Sequence, residues 1–326
     1  VGVLDGWKYR IGGSVSRAAG AVTDYQVPIL VGESAGALGA DVHCYGLCKP
    51  DFSDLRIVAA DGATLVPYWI ESISGATPNQ LALVWAKYAS IGADATPFAL
   101  HFGNPAAAAV SAGDATFQFF DHFTTVDGNK WTVTGTVSIE GGTYASIPYY
   151  YNGTNGKLET KEFTLSLPCS IEMSLSVLTV AWDLGHSGCF PIIGDNVAGF
   201  MWYKEGNYDR YVYANASPSF KNGTARGLAV GNIRNTWRVH ADLQEHITSG
   251  ALNFHDEFSG ATGASGKNFT LFNRNANAKT SNIRIDWVFV RKYLVSEPAL
   301  GAFGALEFVG GAIATKEQYY RRLRNG

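Results

Sequence analysis

Between Trp7 and Gly103 the chain repeats one pattern: WKYRIGG, YQVPILVG, DLRIVAA, LVPYWIE, LALVWAKY and FALHFG. Each run is six to eight residues long, rich in β-branched and aromatic types, and bounded by Gly, Pro, Asp or Asn. Runs this short suit strands rather than helices, and several at this spacing predict a β-sandwich. Asp61-Gly62 predicts a tight turn between two of them. Pro28 and Pro67 fall inside runs, where a missing N–H predicts a sheet edge or a bulge.

The segment NPAAAAVSAGD, Asn104 to Asp114, is small and apolar and reads as a linker or short helix. A second series of strand-like runs follows, ending in IRIDWVFVRKY. Within it Ser170 to Val180 alternates with period two, Ile171, Met173, Leu175 and Val177 against Glu172, Ser174 and Ser176. One face is expected in a core and the other against water or a ligand. After Pro298 the chain turns Gly/Ala-rich and then basic, with a helix-compatible run from Thr315 to Arg324. The expected organisation is all-β: two tandem β-sandwich (jelly-roll-like) domains, 1–115 and 116–299, and a C-terminal tail, 300–326, in contact with a neighbour. A chain of 326 residues is long enough for two cores.

A formal net charge of −3 argues against a nucleic-acid partner. No apolar stretch approaches the roughly 20 residues of a spanning helix, so no membrane insertion is expected. The chain opens at Val1 without an initiator Met, which fits a leader already removed. Four cysteines form two local pairs, Cys44 with Cys48 and Cys169 with Cys189. Disulfides within each module are the simplest connectivity and would place the chain in an oxidising compartment. A zinc site at His43, Cys44 and Cys48 lacks a fourth ligand, and free thiols are the third reading.

Three stretches together resemble domain-of-unknown-function family 2341: WKYR at Trp7 to Arg10, CKPDFSDLRIVAADGATLVPYWIE from Cys48 to Glu71, and HFGNPAA at His101 to Ala107. The resemblance spans about residues 5 to 115. It implies a module of large extracellular, envelope or viral surface proteins, commonly ahead of a concanavalin A-like sandwich. ATFQFFDHF, the Lys130-Trp131 strand start and IDWVFVRKYLVSEP are similar to such a lectin/glucanase-like module. That fold hosts binding proteins and enzymes alike. Laminarinase-type glucanases carry their acids as E-x-D-x-x-E on one strand face; the nearest candidates here, Asp242 with Glu245 and Asp256 with Glu257, do not form it.

Asp121 and Asp286 are the candidate ligands for a structural calcium that ties the first strand of the second module to its last. Alternatively, Asp286 caps a strand or pairs with Arg284 or Arg291. Trp202, Tyr203, Tyr208, Arg210 and Tyr211 are the candidate glycan platform, on two strands joined by a turn at Glu205-Gly206-Asn207. Packing within the sandwich is the competing reading for those aromatics. The seven histidines form no ligand pattern, and no serine-hydrolase elbow or phosphate loop occurs. The resulting expectation is a non-catalytic, secreted or particle-surface structural and adhesive protein that binds itself, other surface subunits or glycans. A glycan-active hydrolase with carboxylates on different strands is the alternative.

Overall fold

The computed structural model describes residues 4–149, 156–180, 187–193, 198–205, 208–214, 217–222, 233–241, 243–249, 254–259, 265–275 and 281–309. The chain is nearly all-β and divides into two compact units, 1–117 with 295–326, and 118–294.

In the first unit the strands are β1 (Tyr9–Ser16), β2 (Val22–Gly32), β3 (Val42–His43), β4 (Arg56–Ala59), β5 (Leu65–Val66), β6 (Tyr68–Ser74), β7 (Leu81–Ile91) and β8 (Thr96–Phe102). One sheet runs β1-β8-β4-β5 and a second β3-β2-β7-β6. Strand β2 shows why: Tyr25, Val27, Ile29 and Val31 alternate inward and are each no more than 2% exposed. Pro28 sits on a stretch of β2 whose one strand neighbour is β7, since β3 pairs only with Val31 and Gly32. Leu30, two residues on, turns its N–H away from β7 to Asp41 Oδ2, so Pro28 lacks only an N–H that would point away from the β2–β7 ladder. Pro67 lies between β5, in the first sheet, and β6, in the second, so it marks where the chain changes sheets. Asp61 and Gly62 make the β4–β5 turn, with the Asp61 carboxylate accepting the Ala63 and Thr64 N–H groups. The linker ends in a single helical turn, α1 (Gly113–Thr116).

The second unit holds β9 (Phe119–Asp121), β10 (Trp131–Thr134), β11 (Ser138–Glu140), β12 (Tyr144–Tyr149), β13 (Lys157–Thr160), β14 (Cys169–Val180), β15 (Ser187–Ile193) and β16 (Ala198–Glu205). It continues with β17 (Tyr208–Ala214), β18 (Ser217–Asn222), β19 (Ile233–Val239), β20 (Leu243–Ser249), β21 (Phe254–Ser259), β22 (Phe269–Asn275) and β23 (Ser281–Lys292). Seven strands form one sheet, β10-β13-β22-β15-β16-β17-β18. Eight form the other, β11-β12-β23-β14-β19-β20-β21 with β9 on β23. Their inner faces meet in one core, where Trp131, Leu158, Phe269 and Leu271 of the first sheet join Ile171, Met173, Trp237 and Val288 of the second. Phe119 and Trp131 meet edge to face at 5.1 Å, and Phe269 closes on both.

Past the second unit, β24 (Ala299–Leu300) and β25 (Leu306–Phe308) return to the first unit and pair with β1. Residues 299–300 and 306–308 are thus strand partners of β1; of the expected tail 300–326, the basic run from Thr315 to Arg324 lies outside the described residues.

Candidate functional site

The stretches that carry the family resemblance converge in space in the first unit. Asp54, fully buried, accepts the N–H of Lys49 at 2.9 Å on one oxygen and those of Gly103 and Asn104 at 2.8 and 3.2 Å on the other. Its backbone carbonyl accepts the Trp7 indole N–H at 2.6 Å. Arg56 lies 4.8 Å over the Trp7 ring and donates to the carbonyls of Ser53, Leu55 and Ala108. The Tyr68 hydroxyl donates to the same Leu55 carbonyl, and burial pushes its pKa up to about 12. Gly103 holds a φ of +85°, and a Cβ there would stand 2.4 Å from the Tyr9 ring. Trp7, Asp54, Arg56 and the HFGN turn therefore form a hub that staples three loops. His101 of that turn is buried and held neutral, its pKa lowered to about 4 by burial and by Arg10.

Beside the hub opens a hollow of about 390 Å³ lined by Asp51, Ser53, Tyr68, Ile70, Glu71 and Ser111. Glu71 accepts the Trp85 indole N–H at 2.7 Å, and Asp51 accepts the Ser53 N–H at 3.1 Å. The Asp51 carboxyl is held below its ordinary value by its hydrogen bonds to Ser53. A carboxylate so stabilised in its charged form is a poor proton donor.

In the second unit the chemistry-bearing side chains gather on the eight-stranded sheet, on the face turned from the core. The alternation along β14 is as expected, but Glu172, Ser174 and Ser176 are 1%, 5% and 5% exposed, so this face is buried too. Glu172 accepts from Arg291 Nε at 2.7 Å and from Arg234, while Ser170 Oγ donates to it at 3.2 Å. Burial pushes the Glu172 carboxyl up, but the guanidiniums of Arg234 and Arg291 outweigh it and hold it below its ordinary value. Glu245 lies 3.1 Å from His240 Nε2 and 3.6 Å from Arg238, whose guanidinium covers the Tyr293 ring at 4.5 Å. Glu172 and Glu245 stand two strands and two residues apart, about 12 Å by sheet spacing. That is too far for a glycosidase pair. Strand register does place Glu245 directly across from Glu257 on β21, a juxtaposition that residue spacing alone conceals.

The remaining expected site residues are placed as follows. Asp121 accepts the Trp131 indole N–H at 2.6 Å and the Phe123 N–H at 2.9 Å, one on each oxygen. Asp286 sits at a bulge of β23 with its pKa raised by burial, against the opposing charge of His122. Both Asp121 oxygens thus serve internal hydrogen bonds, and no group of three His, Cys, Asp or Glu side chains converges as a metal site among the described residues.

Strands β16 and β17 pair as expected, with Trp202 opposite Arg210 and Met201 opposite Tyr211, and an irregularity between Trp202 and Glu205. The side chains of Trp202, Tyr203, Tyr208, Arg210 and Tyr211 lie outside the described residues.

Cys44 and Cys48 are thiols whose side chains hydrogen-bond to each other; burial above all, and then that contact, pushes the Cys44 thiol well above its ordinary value. Cys169 is a buried thiol, raised by burial to about 12. The expected Cys169–Cys189 bridge is corrected by register. Cys189 pairs with Asn273, whose side chain donates to Ile147, and Ile147 pairs through Ile283 to Val177. Val177 lies about 25 Å along β14 from Cys169, far beyond the roughly 7 Å Cα limit of a disulfide.

These geometries fit what sequence comparison finds. Residues 51–134 match the family described as Domain of unknown function (DUF2341). Asp54, Arg56 and the turn from His101 to Asn104 lie inside that match, and the second unit is a pair of stacked antiparallel sheets. No curated protein matches the chain. Among solved structures, an uncharacterized protein from Mycobacterium paratuberculosis (Rv0315 ortholog) is 15% identical, over 53% of this chain and 100% of that one, with a TM-score of 0.39. A glycoside hydrolase family 16 endo-glucanase from Bacteroides ovatus is 14% identical over 53% and 99%, TM-score 0.40. A beta-1,3-glucanase from Mycobacterium marinum is 16% identical over 53% and 98%, TM-score 0.39. At these values the likeness says nothing about activity.

Proposed function

We propose that the chain is a non-catalytic structural and adhesive subunit of an extracellular or particle surface, with glycans as the ligand class of its second module. One observation carries the reading: two buried acids, Asp54 and Glu172, are committed to partners inside the fold. Asp54 serves three backbone N–H groups, and Glu172 serves two guanidiniums. A general acid needs a carboxyl whose proton is retained near neutral pH, and Glu172 is held the other way. For glycan contact the aromatic residues of the paired strands β16 and β17, Trp202, Tyr203, Tyr208 and Tyr211, are the candidates for stacking on sugar rings.

The second reading is a hydrolase that uses Glu245 and Glu257. Residues directly across adjacent strands have Cβ atoms about 4.5–5.5 Å apart, and retaining glycosidases hold their carboxyls at about 5–5.5 Å. A glycan array combined with a reducing-sugar assay separates the two. The expected result is binding without turnover, weakened in Tyr211→Ala. Turnover of any bound glucan that disappears in Glu257→Gln would replace the first reading by the second.

The extracellular setting has its own check. In protein recovered from an oxidising medium, peptide mapping without reduction is expected to find Cys44 joined to Cys48, and no peptide joining Cys169 to Cys189. Free Cys44 and Cys48 under those conditions would count against a surface location.

A further inference from the structure

Segment 299–309 lies along β1 by a fit that is specific to its own sequence. Ala299 and Leu300 pair with Ser16 and Val15, and Leu306, Glu307 and Phe308 with Ile11, Arg10 and Tyr9. Between these short ladders Gly301 N and Gly304 N donate to the carbonyls of Ser14 and Gly12, both at 2.8 Å. The loop between them drops Phe303 over Gly13 and against the Phe98 ring at 5.8 Å. A Cβ on Gly13 would stand 2.8 Å from Phe303, and one on Gly301 2.4 Å from Ser14 Oγ, so a side chain at either position would force a neighbour to shift. Phe308 meets Tyr9 edge to face at 5.6 Å, and Glu307 pairs with Arg10 at 2.7 Å.

The segment reaches β1 from far along the chain. No hairpin joins them, since the second unit, residues 118–294, intervenes in sequence. The two ladders comprise two and three residue pairs, and the ion pair is about half exposed on both sides, where such pairs contribute little. Without the segment, β1 presents an unpaired strand edge, a template for any chain that offers a complementary strand. Every copy of this protein carries that complement.

We propose that β1 accepts segment 299–309 from a second copy of this chain, so that copies link by exchange of this strand. The proposal rests on the assembly reading above and names its contact. Exchange adds no new surface: each copy loses and regains the same contacts, which makes swapping a low-cost route to association.

The test uses full-length chains. Arg10 and Glu307 are Cα partners, so one preparation carries Arg10→Cys, a second Glu307→Cys, and a third both. The two single variants are mixed, oxidised mildly, and resolved without reductant, with the link mapped by mass spectrometry. Exchange predicts a species of twice the chain mass, joined between positions 10 and 307 and lost on reduction, alongside closure within the double variant. If the double variant closes within one chain and the mixture yields no 10–307 link, exchange is wrong. If the double variant fails to close at all, the seat itself is wrong and the proposal falls with it. Light scattering on the unmodified chain separates this from the broader reading: oligomers without a mixed link sink exchange alone, and a strict monomer sinks both.

Discussion

Replacing Glu172 with alanine is expected to destabilise the second unit by about 3–5 kcal/mol, the usual cost of removing one partner from a buried ion pair. The large value follows from Arg291, whose side chain is 4% exposed and keeps its charge without Glu172. Arg234, at 27%, can turn toward water and softens the loss. Exchanging all three residues together for apolar ones of similar volume is expected to cost less than the single change, because no orphaned charge remains. Urea unfolding followed by hydrogen exchange in β14 and β23 measures both variants.

The same triad sets a pH dependence. The folded carboxyl of Glu172 lies below its ordinary value of 4.5, so its contribution is complete above that value and is lost as pH falls through the lower, folded one. Stability of the native chain should therefore drop on acidification below about pH 4.5. In Glu172→Gln the curve should be lower at neutral pH and flatter in that acid range. Equal slopes in the two proteins would show that Glu172 is not held ionised by its neighbours.

In the first unit Asp54→Ala is expected to remove about 3 kcal/mol or more, since the N–H groups of Lys49, Gly103 and Asn104 lose a charged acceptor at once. Asp54→Asn keeps one acceptor oxygen and should recover part of the loss. Faster amide exchange at Gly103, beyond what global destabilisation explains, is the local sign. If Asp54→Ala melts like the native chain, the hub is not what holds the three loops together.

Much of this architecture can be read from pattern alone, because it depends on local periodicity. The inward alternation on β2, the alternation of residue types on β14 and the Asp61-Gly62 turn follow from side-chain alternation and turn chemistry, which act within a few residues. Pro67 is also a local signal, although only the sheets reveal that it marks a crossing between them. Site chemistry is different, since it depends on which distant strands become neighbours. Spacing in the chain suggested a bridge between Cys169 and Cys189 that register forbids, and hid the facing of Glu245 and Glu257 that register creates.

The motif stretches at Trp7, Asp54 and His101 show the same division. Their residue types announce a related module, yet nothing local says that they meet, nor that Asp54 spends its charge on backbone N–H groups rather than on a ligand. The amino-acid order alone settles the all-β class, which follows from short-range sterics and burial. Which faces are covered, which acids are neutralised, and that residues 299–309 complete β1 were decided only in three dimensions. Desolvation, ion pairing and strand register all depend on residues far apart in the chain.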